Sequence, residues 1–189
     1  VMLERLLPDG AKQSGIYAQS YRLMEAGNMI AYLFAGLLLP IFAAMIKQKE
    51  DVGPLLKTSY SLIVTPAIAV AAIFLFNSYD LMSLLYKFHA RESSQVTPFL
   101  MISFVSISTT YIFGTLLTAS GDLKTLNIMA SGGMALNIFF NLILIPRYQA
   151  EGAAISSMIT QSTMAISQIL LCRHNFHLKF QPTLNFANH

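Results

Sequence analysis

Residues 93–121 read SSQVTPFLMISFVSISTTYIFGTLLTASG, 29 consecutive positions without a charged side chain. A helix of about 20 predominantly apolar residues crosses the ~30 Å hydrocarbon core of a bilayer, and this run exceeds that length. Four further charge-free runs, 26–46, 58–79, 125–146 and 152–172, are each 21 or 22 residues long. No ordinary water-soluble core supplies five such stretches in succession. Backbone polar groups in lipid must be satisfied within their own segment, whereas a barrel would show alternating strands of about 10 residues. The expected fold is therefore all-α, a polytopic transmembrane helix bundle.

Composition agrees. Of 189 residues, 54% are hydrophobic and only 11% charged, against about 25% charged in soluble domains. The net charge of +3 does not point to nucleic acid as a partner, because the basic residues fall mainly between the apolar runs, as loop and interface charges do. The single Cys172 excludes a disulfide framework within the chain. The chain opens with VMLERLLPDGAKQSG and delays its first long apolar run, unlike a secretory signal peptide. It begins at Val1 rather than Met, so it is read as a fragment.

Helical spacing of Ile16, Tyr17, Tyr21, Met24 and Asn28 carries the first helix back to about residue 14, and it is expected to reach 46 with a kink at Pro40. The second is expected over 54–76 with Pro66 inside it, followed by a short amphipathic surface helix at about 79–88. Three more are expected over 96–119, 123–145 and 152–172. The membrane domain thus covers 1–172, with the end of one helix ahead of five spans, and 173–189 is a tail or the start of a further segment. Short connections make successive helices antiparallel neighbours. Lys and Arg divide evenly between the two sides, so charge bias leaves the orientation open.

Several spans carry polar side chains. Hydroxyls crowd 103–118 and 156–167, where they can bond back to their own helix, bridge to a neighbour, or face a water-filled space. Arg22, Glu25 and Asn28 fall at i, i+3 and i+6 on one face of the first helix near the membrane boundary. Arg22 and Glu25 are spaced to pair. Arg22 can snorkel to the headgroups, or its guanidinium can hold phosphate oxygens in a bidentate fork on a cavity wall. Asn137 and Asn141, an i, i+4 pair, and Gln161 are secondary polar candidates, as interhelical hydrogen-bonders or as ligand contacts. His89, His174, His177 and His189 lie in loops or the tail without zinc-ligand spacing. No nucleophile elbow, phosphate-binding loop or paired intramembrane carboxylate is present. The chain is therefore expected to be a carrier and not an enzyme, with no cofactor and no metal.

Two stretches add a family resemblance. GIYAQSYRLMEAGNMIAYLFAGLLLPIFAAMI, residues 15–46, resembles the helix that opens the C-terminal half of flippases in the multidrug/oligosaccharidyl-lipid/polysaccharide exporter superfamily, through Gly15, Ile16, Tyr17, Arg22, Leu23 and Pro40. LLTASGDLKTLNIMASGGMALNIFFNLILIPRYQAEGAAIS, residues 116–156, resembles its later helix pair through Asn137, Asn141, Leu142, Leu144, Ile145, Pro146, Tyr148 and Gly152, Ala153, Ala154. Where that pattern has Gly after I-P-x-Y, this chain has Gln149-Ala150-Glu151, an altered or lengthened turn.

The resemblance implies a transporter of two pseudo-symmetric lobes, with this chain supplying about five spans of the C-lobe and needing the missing N-terminal lobe as partner. The polysaccharide branch moves undecaprenyl-diphosphate-linked sugar units across the bacterial inner membrane by alternating access. Such a reading makes lipid-linked oligosaccharide diphosphate and membrane lipid the other partners. It also gives Arg22 the task of neutralising phosphate in a hydrated cavity while the polyprenyl tail stays in lipid. The alternatives are a drug/cation antiporter of the same superfamily, and a membrane-embedded polysaccharide polymerase or assembly subunit.

Overall fold

A computed structural model describes residues 2–176, so the tail beyond 176 lies outside the described residues. Five helices follow one another: α1 (Met2–Leu6), α2 (Gly10–Gln48), α3 (Gly53–Leu85), α4 (Ala90–Ala119) and α5 (Leu123–Phe176). No strand occurs among the described residues. Four of the helices are long and apolar enough to cross a membrane. The chain is an all-α membrane protein.

The longest helix is not straight. Over the residues between them, Gly133 and Met164 would stand about 46 Å apart on a continuous helix, yet the Met164 Sδ lies 2.8 Å from where a Cβ on Gly133 would sit. Asn137 Nδ2 donates to Thr160 Oγ1 at 3.4 Å, which fixes the same antiparallel register. α5 therefore folds back on itself as two limbs, 123–148 and 150–176. The fold point is Gln149, whose φ of 53° and ψ of −128° leave the helical region. Among the described residues there are thus five long helical rods, and the two limbs correspond to the helices expected over 123–145 and 152–172.

Gln149 holds this positive φ without being glycine: glycine adopts such a conformation freely, whereas other residues store about 1–3 kcal/mol of strain. This single residue makes the reversal. Gln13 of α2 braces it, donating to Gln149 Oε1 at 2.8 Å and accepting from the Ala150 N–H at 3.3 Å.

The helical φ/ψ pattern is interrupted at Asn77 and Gln149, while Pro40 and Pro66 lie inside α2 and α3; proline's fixed φ suits a helix, and what it removes is one backbone bond. The short helix expected over 79–88 is present as a separate piece of α3 beyond the break at Asn77, and it stops at Leu85. At the break, Asn77 Nδ2 donates to the Ile73 carbonyl at 3.2 Å and Ser78 Oγ to the Phe74 carbonyl, so side chains occupy acceptors at a helix end. Finally, helices extend into the expected loops. After α4, Gly121 at φ 81° and the Asp122 N–H bond to Leu117 O reverse the chain. Asp122 then accepts from Thr125 N and Oγ1 at 3.4 and 2.6 Å, an N-cap for α5.

α4 is the hub. It packs against α2, α3 and α5, and 61% of its most apolar stretch is enclosed, against 22% for α2 and α3 and 17% for α5. One apolar cluster at one end joins Ile16, Met24, Ala71, Val96 and Ala154; a second at the other joins Phe42, Leu56, Ile112, Leu116 and Cys172. Lipid tails are as apolar as these residues, so close packing and interhelical hydrogen bonds hold such helices together. Near the first cluster, Ser20 Oγ bonds Ser93 O and Thr97 Oγ1, both at 2.9 Å, and Ser93 Oγ donates to Ile16 O at 3.3 Å. Single-cysteine labelling should therefore find positions 48–52 and 174–176 reactive from one side of the membrane, and 87–91 and 147–149 from the other. Reaction of 48–52 and 87–91 from the same side would contradict this arrangement.

Candidate functional site

The buried face of α2 repeats through Ser20, Met24, Asn28, Ala31, Ala35, Leu38 and Phe42, the spacing of a stripe turned toward α4. Arg22 lies two residues from both Ser20 and Met24. At about 100° per residue it points away from the bundle, and both Arg22 and Glu25 are exposed.

Depth follows from register. α2 and α4 run parallel, with Ser20 beside Thr97 and Gly27 beside Phe104. The same offset sets Arg22 level with Phe99, about 13 Å below the start of α4 at Ala90. Arg22 is thus well inside the plane marked by Arg91, Glu92, Arg147 and Glu151, on an outward face.

The expected trio does not form one surface. Asn28, six residues from Arg22, has swung about 120° around the helix and is buried at 9% exposure. Its Oδ1 has no hydrogen-bond partner. Nor is the Arg22–Glu25 ion pair formed among the described residues, although their spacing permits it. At an exposed i, i+3 position such a pair gains only about 0.2–0.5 kcal/mol, too little to fix two long side chains. Glu92 instead lies 3.9 Å from Lys12 Nζ and 3.2 Å from His89 Nδ1.

The secondary candidates meet within the α5 hairpin. Asn141 Nδ2 donates to Asn137 Oδ1 at 2.8 Å, and Asn137 in turn reaches Thr160 across the limbs. Asn137 thus bonds between limbs, while Asn141 bonds within its own limb. Asn141 Oδ1 is buried and without a partner, while Gln161 is half-buried one residue beyond Thr160. Across to α4, Ser106 Oγ and Ser162 Oγ are 3.1 Å apart. Most α4 hydroxyls bond back to their own helix, including Ser103 to Phe99 O and Thr109 to Val105 O, both at 3.0 Å.

Sequence reasoning missed the tyrosines. Tyr17 and Tyr21 stack at 5.8 Å, and Tyr32 meets Tyr111 edge-on at 6.0 Å. Tyr17 also shares a 3.2 Å hydrogen bond with Ser157 of the second α5 limb. The i, i+4 spacing of Tyr17 and Tyr21 was the available signal. Residues of α2 and α4 also line a groove of about 470 Å³, among them Tyr32, Leu39, Tyr111, Thr115 and Thr118.

No group of three or more His, Cys, Asp or Glu side chains that could hold a metal occurs among the described residues. No family model, no curated protein and no solved structure matches this chain.

Proposed function

We propose that this chain forms part of the C-terminal lobe of a flippase that moves undecaprenyl-diphosphate-linked oligosaccharides across the bacterial inner membrane for surface polysaccharide, such as O-antigen of lipopolysaccharide. The observation that carries the reading is the outward Arg22 at depth, without an ion pair among the described residues. An arginine facing hydrocarbon is costly and marks function when it lies inside a membrane. A second lobe laid against this face would enclose Arg22 in a hydrated cavity, where its guanidinium can neutralise a diphosphate and grip it bidentately.

The remaining steps are those of alternating access. A charged, sugar-bearing headgroup cannot cross hydrocarbon unaided, so it travels in the cavity between lobes, which rock to open it to each side in turn. Lipid-linked oligosaccharide diphosphate, membrane lipid and the other lobe are the partners; no cofactor, metal or nucleic acid takes part. The motif resemblance over 15–46 and 116–156 supports the same conclusion.

Expression of the protein at its natural length, in a bacterium lacking its own lipid-linked-sugar flippase, should restore surface polysaccharide. Unrestored polysaccharide at normal protein abundance, together with new resistance to cationic drugs that depends on a sodium or proton gradient, would instead establish an antiporter.

A further inference from the structure

Arg22 does not stand alone on its face of α2. Gly36 returns to within about 40° of it around the helix, and Tyr32 to within about 80°. Both belong to one wall of the groove of about 470 Å³ whose other wall is Tyr111, Thr115 and Thr118 of α4. A Cβ on Gly36 would meet nothing within 4 Å. Tyr32 is 61% exposed, and Tyr111 and Thr115 are half-buried, so the groove is open and its side chains can be touched. Its volume falls within the ~300–1,000 Å³ of small-molecule sites.

The two tyrosines stand at the wrong depth for headgroup anchors. Tyrosine is enriched where a membrane meets water. Tyr32 and Tyr111 instead lie only about 6 Å from positions 36 and 107, the middles of the charge-free runs 26–46 and 93–121. Their rings meet edge-on, and neither hydroxyl is hydrogen-bonded among the described residues. A phenol left so in hydrocarbon is costly. Thr115 and Thr118 donate back to Tyr111 O and Gly114 O at 2.6 and 2.8 Å, which leaves their oxygens free to accept. The groove thus offers aromatic rings, phenol donors and hydroxyl acceptors inside the membrane. Sugars complement that set, since their hydroxyls both donate and accept, and their C–H faces pack on the negative face of an aromatic ring. An acyl chain or an apolar helix would leave these hydroxyls unmet.

Distance selects which sugars. Tyr32 lies about 15 Å along α2 from Arg22, beyond a sugar joined directly to a diphosphate held there and within the span of a short oligosaccharide. We propose that the groove between Tyr32 and Tyr111 seats the outer sugars of the lipid-linked oligosaccharide. This rests on the flippase reading and adds a selectivity that Arg22 lacks: a guanidinium binds the diphosphate whatever it carries, whereas the groove responds to the sugar chain.

The test uses the protein at its natural length in nanodiscs of saturated phosphatidylcholine. The probe is undecaprenyl diphosphate carrying an N-acetylglucosamine tetrasaccharide, with a diazirine on the terminal sugar. After illumination, adducts located by peptide mass spectrometry should fall on residues 32–39 and 111–118. Gly36→Phe, which fills the groove from its open wall, should lower them about tenfold, and Tyr32→Leu about fivefold. If Gly36→Phe does not fold, Gly36→Leu blocks the same wall. Moving the diazirine to the sugar next to the diphosphate should shift the adducts toward residues 22–29. Equal labelling of 32–39 and 111–118 by a diazirine-acyl phosphatidylcholine, labelling indifferent to Gly36→Phe and Tyr32→Leu, or groove adducts from the inner sugar would overturn the proposal. The two failures separate. Absence of groove adducts from a protein that restores surface polysaccharide removes the groove alone, whereas groove adducts in a protein that restores none keep the sugar site and remove the transport reading.

Discussion

Gly152→Ala should prevent the α5 hairpin from closing and cost at least about 3 kcal/mol of stability. A Cβ on Gly152 would lie 2.3 Å from Leu144 O, 2.6 Å from Leu144 C and 3.0 Å from Ile145 N. All three are backbone atoms of the opposing limb, so no side chain can swing aside and the limbs themselves must part. Parting them also strains the Asn137–Thr160 bond and the packing of Leu3, Ile145 and Ala153. Gly132→Ala is the control: no atom lies within 4 Å of its added Cβ, and it should stay within about 0.5 kcal/mol of the parent. Thermal unfolding in detergent, with the monodisperse fraction after size exclusion, measures both. Equal melting of the two variants would show that the limbs are not packed so closely. Gly27→Ala falls between them, because its Cβ would meet the Phe104 ring at 2.8 Å and that ring borders an open groove into which it can turn.

The fold was legible where physics acts on length and polarity alone. Charge-free runs of 21 residues or more located each long helical rod, and Asp122 was readable as a cap from its place before a helical run. The turn at 146–152 was readable as an anomaly but not as a geometry, because only the backbone shows that Gln149 itself takes the positive φ and that Gln13, 136 positions earlier, holds it there. Long-range partnerships of this kind leave no local pattern. The candidate site was legible only in part. Three residues at i, i+3 and i+6 look like one face in a short count, yet the accumulated 120° is enough to bury Asn28 while Arg22 faces out. The groove between α2 and α3, walled by Gly27 and Ile30 on one side and Leu62 and Pro66 on the other, could not be read at all, since its walls are far apart in sequence.

That separation sharpens what Arg22 should do. With Asn28 turned inward and no pairing to Glu25, Arg22 is exposed and makes no ion pair among the described residues, so Arg22→Ala in the protein at its natural length should insert and accumulate normally. Under the flippase reading it should nonetheless lose export of lipid-linked sugar. Removing one member of a desolvated charge pair typically costs about 2 kcal/mol or more, which is about 30-fold in affinity. Arg22→Lys keeps the charge but not the planar fork, so it should recover export partly if charge neutralisation dominates and hardly at all if bidentate geometry does. Glu25→Gln should leave protein abundance unchanged, since no ion pair is broken. Surface polysaccharide and protein level, measured together in cells lacking their own flippase, distinguish these outcomes. Parental export by Arg22→Ala at parental abundance would leave Arg22 as a residue that merely snorkels to the headgroups. Loss of the protein itself would mean that Arg22 has a structural partner outside this chain, and the other lobe is where that partner would be sought.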